Sequence, residues 1–462
     1  MNPHLPAPAR DNRLFRRVNS VHGNHKRIAA GALTIGVLTL LAKAFVAARE
    51  MAIAWRYGVS STVDAYQLSV TIVTWVPMLI AGVLGVVLVP RVVRLDRRKA
   101  DRDAFLAEFN GTAVVLGAGV ALLTYVAAPE ASRLMAAQLD AETVRLTILI
   151  VQRLSPIALF MILAGYLTAR LQARERFGYT LTEAIPALMI AIFVIAPFPA
   201  GSVTPLILGS LVGYIAQLVI LLGLVAKGDP PIGRVALRHR SQEWETFYGP
   251  LLIMVLGQLV LTATNPIDQL FAAGLGTGAV ATLGYANRII TLFSGLAMVV
   301  IGRALLPVLS NAVASGSLAL GRRHALQWGA LMFAAGVIGS AFLWLLAPEL
   351  VKLLFQRGAF QASATAAVSG LLRYGILQLP FFFGGIALVQ WVAAVGRFGA
   401  IASITSAALA VKVILNFLLV RHFGLPTLMI SSALMYVVTS VLLLRMIAKG
   451  AAPIDSVDET AA

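Results

Sequence analysis

The chain has 462 residues, 59% hydrophobic and only 12% charged, with a mean hydropathy of +0.85. A soluble domain carries about twice that charged fraction, so the composition specifies a polytopic membrane protein. The absence of cysteine excludes a disulfide framework, a thiolate metal site and a cysteine nucleophile. The net charge of +17 falls in clusters between apolar spans, as in cytoplasmic loops, which argues against a nucleic-acid partner.

Residues 1–27 form a basic polar tail, and the apolar run that follows is too long for the core of a cleaved signal. Spans of about twenty apolar residues then recur near 28–56, 64–90, 107–128, 145–170, 179–198, 204–226, 248–273, 280–308, 326–346, 367–392, 399–420 and 426–446. The expected fold is therefore an all-α integral membrane protein of about twelve transmembrane helices. Basic clusters precede the first span (Arg10 to Arg27) and follow the second (Arg91 to Arg102). Others fall at Arg170/Arg174/Arg176, Lys227/Arg234/Arg238/Arg240, Arg322/Arg323 and Arg445/Lys449. The alternate loops are poor in Lys and Arg, which places both termini in the cytoplasm.

The first span is the most informative, because Lys43, Arg49 and Glu50 lie inside it. A charge at bilayer depth costs roughly 2.5–3.5 kcal/mol on insertion scales unless it faces protein or water. Lys43 and Glu50 are seven apart and share a helix face, while Arg49 and Arg56 share a second face about 100° away. Such a helix lines a polar interior, either one that holds an anion or one in which a Lys/Glu or Arg/Glu pair locks helices together.

The second half repeats the first. Thr204–Gly228 and Pro426–Gly450 align with Tyr214 on Tyr436 and Ala-Lys-Gly on Ala-Lys-Gly, at an offset of 222 (436 − 214). Arg176-Phe177-Gly178 matches Arg397-Phe398-Gly399 at 221, and Pro90 matches Pro307 at 217. Six helices per half is an even number, so the repeat is parallel, about an axis along the membrane normal. The expected organisation is a tail (1–27), a six-helix lobe (28–226), a cytoplasmic connector (227–247), a second six-helix lobe (248–446) and a tail (447–462).

Other charges inside spans are Arg153 and Glu183 in the first half, and Asp268, Arg288, Arg303, Arg373 and Lys412 in the second. Arg288 is the residue expected to meet Lys43 and Arg49 across a central cavity. Asp268 and Lys412 form either an ion site or a structural ion pair within the second lobe. Arg145 and Arg303, near span ends, are expected to snorkel. Pro156, Pro186 and Pro380 predict kinks. There is no Walker A sequence, no cofactor motif and no histidine near the middle of a span. Gly274, Gly276 and Gly278 read as ordinary loop glycines between two helices.

The residues also carry a family resemblance. The first two spans read LLAKAFVAAREMAIAWRYGVSSTVDAYQL…GVVLVPRVV, and the second half contains GYANRIITLFSGLAMVVIGRALLPVLSNAVASG followed by LVKLLFQRGAF. These segments are similar to the arginine-rich first helix, T-D-A-F turn, A-D-R…G…LLP-L-S and L-F-x-x-G-x-F signatures of the MurJ/MviN family of lipid II flippases. The resemblance implies membership of the multidrug/oligosaccharidyl-lipid/polysaccharide exporter superfamily, with two six-helix lobes forming a V around a cationic cavity. Arg49 and Arg288 match the family's functional arginines, whereas Lys43 and Glu50 stand where it usually has Arg and Asp. Val76 and Pro77 occupy the neighbourhood of another family arginine, and the family's two extra C-terminal helices do not follow the twelfth span. The expectation is thus a non-enzymatic flippase in the bacterial cytoplasmic membrane. Its substrate is a polyprenyl-diphosphate-linked oligosaccharide, either lipid II or an exopolysaccharide or capsule unit. Lys43, Arg49 and Arg288 hold the diphosphate, Glu50 and Asp64 support the cavity, and a coupling ion or the membrane potential drives it. The competing expectation is a multidrug/cation antiporter of the same fold, whose cavity should be acidic or apolar.

Overall fold

A computed structural model describes residues 38–95, 99–174, 176–227, 235–244, 254–260 and 262–449. The tails and parts of the connector lie outside the described residues, as do the side chains of some α10 residues, Arg303 among them. The first half comprises α1 (38–57), α2 (Ser61–Leu95), α3 (Lys99–Met135), α4 (Ala141–Leu154), α5 (Ile157–Ala173), α6 (Ile185–Ile195) and α7 (Thr204–Ala226). The second comprises α8 (254–260), α9 (Thr264–Ala273), α10 (Ala279–Ala314), α11 (Leu318–Phe355), α12 (Ala362–Ile376), α13 (Leu379–Ala394), α14 (Phe398–Phe423) and α15 (Pro426–Ala448). Among the described residues eight helices are long and apolar enough to cross a membrane, or nine when α4 and α5 count as one bent span. The expected first, seventh and eighth spans fall on α1, on α8 with α9, and on α10.

Proline sets the breaks. Ser155-Pro156 separates α4 from α5 at a bend of 46°. Pro186 starts α6 after a 3₁₀ turn over Phe177–Ala184, and Pro380 starts α13 after α12 ends at Ile376. A proline lacks the N–H that would continue the preceding helix, but fits the first turn of the next. Packing recurs between the halves. The first half pairs α2 with α5, α3 with α5, α5 with α7 and α6 with α7; the second pairs α10 with α13, α11 with α13, α13 with α15 and α14 with α15.

The buried apolar residues form three clusters, and their distribution defines the shape. The largest draws on both halves at one end of the molecule, from Ala52–Tyr57 and Val63–Val73 through Val280–Ile290 to Val351–Phe360. At the other end, where the connector lies, the core divides in two. One cluster surrounds Leu88, Phe105, Phe109, Leu167 and Trp244 in the first half, and another surrounds Leu309, Ala387, Trp391 and Leu443 in the second. The halves are therefore fused at the far end and have separate cores at the connector end. They still touch there on one side, where Gln258 of α8 fills the space beside Gly82 and the Trp75 indole donates to Thr262 at 3.2 Å.

Part of the expected connector belongs to the first half. The buried Glu108 carboxylate on α3 accepts the backbone N–H of Arg240 (2.9 Å) and Ser241 (3.2 Å) and the Trp244 indole N–H (2.7 Å). Ala236 N–H donates to the Ala107 carbonyl at 3.0 Å, and the absent side chain of Gly111 lets the Ala236 carbonyl approach. Arg170, grouped by sequence with loop cations, is fully buried in α5 beside the Tyr166 ring and hydroxyl.

Candidate functional site

The predicted face of α1 is the one that lines a cavity. Lys43, Val46, Ala47, Glu50 and Met51, spaced as one helical stripe, face Arg288, Thr291 and Leu292 of α10 across about 80 Å³. Glu50 is buried at 4% exposure and carries the junction. Its Oε1 accepts the Arg49 Nε at 3.1 Å and lies 3.1 Å from the Arg288 Nε, with an Arg49 Nη2 contact besides. One carboxylate oxygen thus joins guanidinium groups from both halves. Arg49 does not point away, as helix spacing alone suggested; its long side chain folds back onto its neighbour.

Lys43 has no hydrogen-bond or ion-pair partner among the described residues, and its stem lies against Gly295 of α10. Glu183 is within electrostatic reach of it. Arg288 keeps 43% of its side chain exposed and contacts Glu50 through Nε, so its Nη groups remain available. The hydroxyls of Tyr66 and Tyr214 are within electrostatic reach of both guanidiniums, and Tyr66 is anchored to Ser210 at 3.1 Å. With three cations against Glu50 and Glu183, the cluster holds a net charge of +1 (3 − 2) before any ligand enters. A handful of waters fits in 80 Å³, so a large anionic headgroup requires the halves to part further.

The other predicted residues are placed elsewhere. Asp64 does not line this cavity. Fully buried on α2, it accepts the backbone N–H groups of Gly278 and of Ala281 (2.7 Å), capping α10 of the opposite half. Gly278 adopts φ 84° there, so the loop glycines shape the turn into α10. Asp268 and Lys412 form a buried ion pair at 2.8 Å, extended by Ser432, Asn416 and Ser431. Arg56 is spent on backbone carbonyls at the end of α6: Val194 (2.7 Å), Ala196 (2.9 Å), Phe198 (2.5 Å) and Pro199 (3.1 Å). Arg373 stacks on Trp344 at 4.7 Å, and Arg145 and Arg153 are exposed.

Sequence reasoning missed the contacts that close the far end. Ala359 N–H donates to the Trp55 carbonyl at 2.8 Å, and the Tyr285 hydroxyl to the Gly58 carbonyl at 2.9 Å. The glycine of L-F-x-x-G-x-F is Gly358, at φ 59°, where a Cβ would stand 2.2 Å from the Trp55 carbonyl oxygen. That motif was the available signal: its glycine permits the close approach of two backbones.

The arrangement of the helices defines a class by its fold, that of the multidrug/oligosaccharidyl-lipid/polysaccharide exporters. A solved structure described as "Lipid II flippase MurJ, inward closed conformation" matches with a TM-score of 0.80 at 18% identity, covering 90% of this chain and 87% of that one. An inward-facing multidrug resistance MATE family transporter of the MOP superfamily matches at 0.75 and 16% identity, covering 90% and 100%. The family described as "Lipid II flippase MurJ" matches residues 53–458, and the chain belongs to that family. A probable lipid II flippase MurJ of Synechocystis sp. is 28% identical over 418 residues, 84% of this chain and 76% of the relative. The lipid II flippase MurJ of Burkholderia cenocepacia is 26% identical over 360 residues, 74% of this chain and 69% of the relative.

Proposed function

We propose that the protein moves lipid II, a polyprenyl-diphosphate-linked oligosaccharide, from the cytoplasmic to the outer leaflet of the bacterial cytoplasmic membrane. The observation that carries this reading is the convergence of Arg49 and Arg288, from two halves, on the Glu50 carboxylate, with Lys43 lining the same cavity beside them. Glu50 holds the two guanidiniums apart from lipid and in position while no substrate is present. The diphosphate then takes the free donors of Lys43 and Arg288 in a low-dielectric site. A cationic drug would be repelled by the same charges, which disfavours the antiporter reading.

With the connector in the cytoplasm, the separate cores face inward and the fused far end is the closed outer side. The halves act as two lobes related by the parallel repeat, and rocking between them gives alternating access. The membrane potential or an ion gradient drives the cycle. The test is flipping of lipid II in cells depleted of their own flippase, with membrane abundance measured alongside. Arg49→Gln with Arg288→Gln and Glu50→Gln, which removes the guanidiniums without stranding the buried carboxylate, should abolish flipping at normal abundance, and full activity of that variant would overturn the reading. An exopolysaccharide or capsule unit becomes the substrate if the wild-type chain flips such a unit and leaves lipid II in place.

A further inference from the structure

A second cavity, of about 320 Å³, lies at the far end, between the C-terminal ends of α3, α9 and α14. Its walls are apolar and largely exposed: Leu134 at 70%, Leu270 at 39% and Phe417 at 74%, with Phe271 between them. Its lining has two polar residues, Gln138 in the α3–α4 loop and Arg421 in the last turn of α14. Neither has a hydrogen-bond or ion-pair partner among the described residues. Other arginines at this end are committed, Arg133 to Glu130 and Arg357 to the Leu353 carbonyl. Asp140, two residues beyond Gln138, caps α4 through the Thr143 hydroxyl (2.7 Å) and N–H (2.9 Å), which hold its carboxyl below the usual range. No carboxylate is among the residues lining the cavity.

We propose that this cavity binds an anionic phospholipid of the outer leaflet. Its phosphate pairs with Arg421, its glycerol backbone meets the Gln138 amide, and an acyl chain lies along Leu134, Leu270 and Phe417. The positive-inside reading puts these helix ends at outer-leaflet headgroup depth, where a free guanidinium beside an apolar hollow matches a phosphate beside its chains. A zwitterionic headgroup brings its own ammonium to that phosphate, so a head such as phosphatidylglycerol, with an uncompensated charge, is preferred. Because α3 belongs to one half and α9 and α14 to the other, the bound lipid holds the outer side closed.

The experiment titrates purified, delipidated full-length protein with short-chain phosphatidylglycerol or phosphatidylcholine in detergent. Binding is read by native mass spectrometry and by thermal stabilisation, with inorganic phosphate as a control. Wild type should prefer phosphatidylglycerol several-fold, because phosphatidylcholine offers Arg421 the same phosphate with a compensating ammonium beside it. Arg421→Gln should bring the two lipids level, Arg421→Lys should keep part of the preference, and inorganic phosphate should not stabilise. Leu270→Trp, which fills the hollow and leaves the charge, should weaken both lipids and serves if Arg421→Gln does not fold. An undiminished preference in Arg421→Gln, or wild-type affinity in Leu270→Trp, overturns the assignment. So does equal binding of the two lipids by wild type.

Discussion

Replacing Asp64 by alanine should open the outer side. The carboxylate is fully buried and accepts two backbone N–H groups at the start of α10, across the junction between halves. Hydrogen bonds to a charged group contribute about 1.5–3 kcal/mol net, and loss of an N-cap alone costs about 0.5–2. Because the cap spans the two halves, most of that energy is lost when the halves separate at this end. It therefore sets the closed-to-open ratio, which should fall roughly ten- to more than a hundredfold in Asp64→Ala. The chain has no native cysteine, so a single cysteine at Ala286, fully buried on α10, can report opening without further engineering. Its labelling from outside by a membrane-impermeant maleimide should accelerate by that factor. Asp64→Asn, which keeps one acceptor without the charge, should fall between. An unchanged labelling rate at normal abundance would refute the inference that Asp64 latches the outer side.

Two further predictions concern the second half and the topology. Lys412→Met alone strands Asp268 in the interior and should destabilise the protein by about 3–5 kcal/mol, read as a lower melting temperature. Adding Asp268→Leu should restore most of the loss; a double variant as unstable as the single would show that the pair is not the relevant unit. Single cysteines at Lys99 and Gln138, at opposite ends of α3 and just beyond it, should label from the cytoplasm and from outside respectively. Labelling of both from one side would reverse the assignment of the ends.

The charges on α1 were legible because a helix converts a spacing of seven into a shared face, and Lys43 and Glu50 obey it. The prolines announced the helix breaks for a local reason, a missing N–H. Arg288 was found through the family motif, which carries information about distance in space that periodicity lacks. Two of the residues that stayed hidden share a physical cause: the partner is backbone. The ligands of Arg56 are four carbonyls at the end of α6, and those of Asp64 are N–H groups more than 200 residues away, neither marked by side-chain identity. Arg49 escaped because adjacent helical positions diverge by about 100° at Cβ, yet a guanidinium on a long stem reaches back across that angle. Arg170 looked like a loop cation because a basic cluster in sequence says nothing of which member turns inward.

The central claim is that Lys43, Arg49 and Arg288 bind a diphosphate, and ligand chemistry tests it most directly. Purified protein should be titrated with a polyprenyl diphosphate and with the corresponding monophosphate, in wild type and in Arg288→Gln. The lost charge-assisted bonds are worth about 1.5–3 kcal/mol, so Arg288→Gln should bind the diphosphate roughly ten- to more than a hundredfold more weakly. It should affect the monophosphate much less. Equal affinities for the two lipids in wild type, or a diphosphate affinity unchanged in Arg288→Gln, would contradict the account.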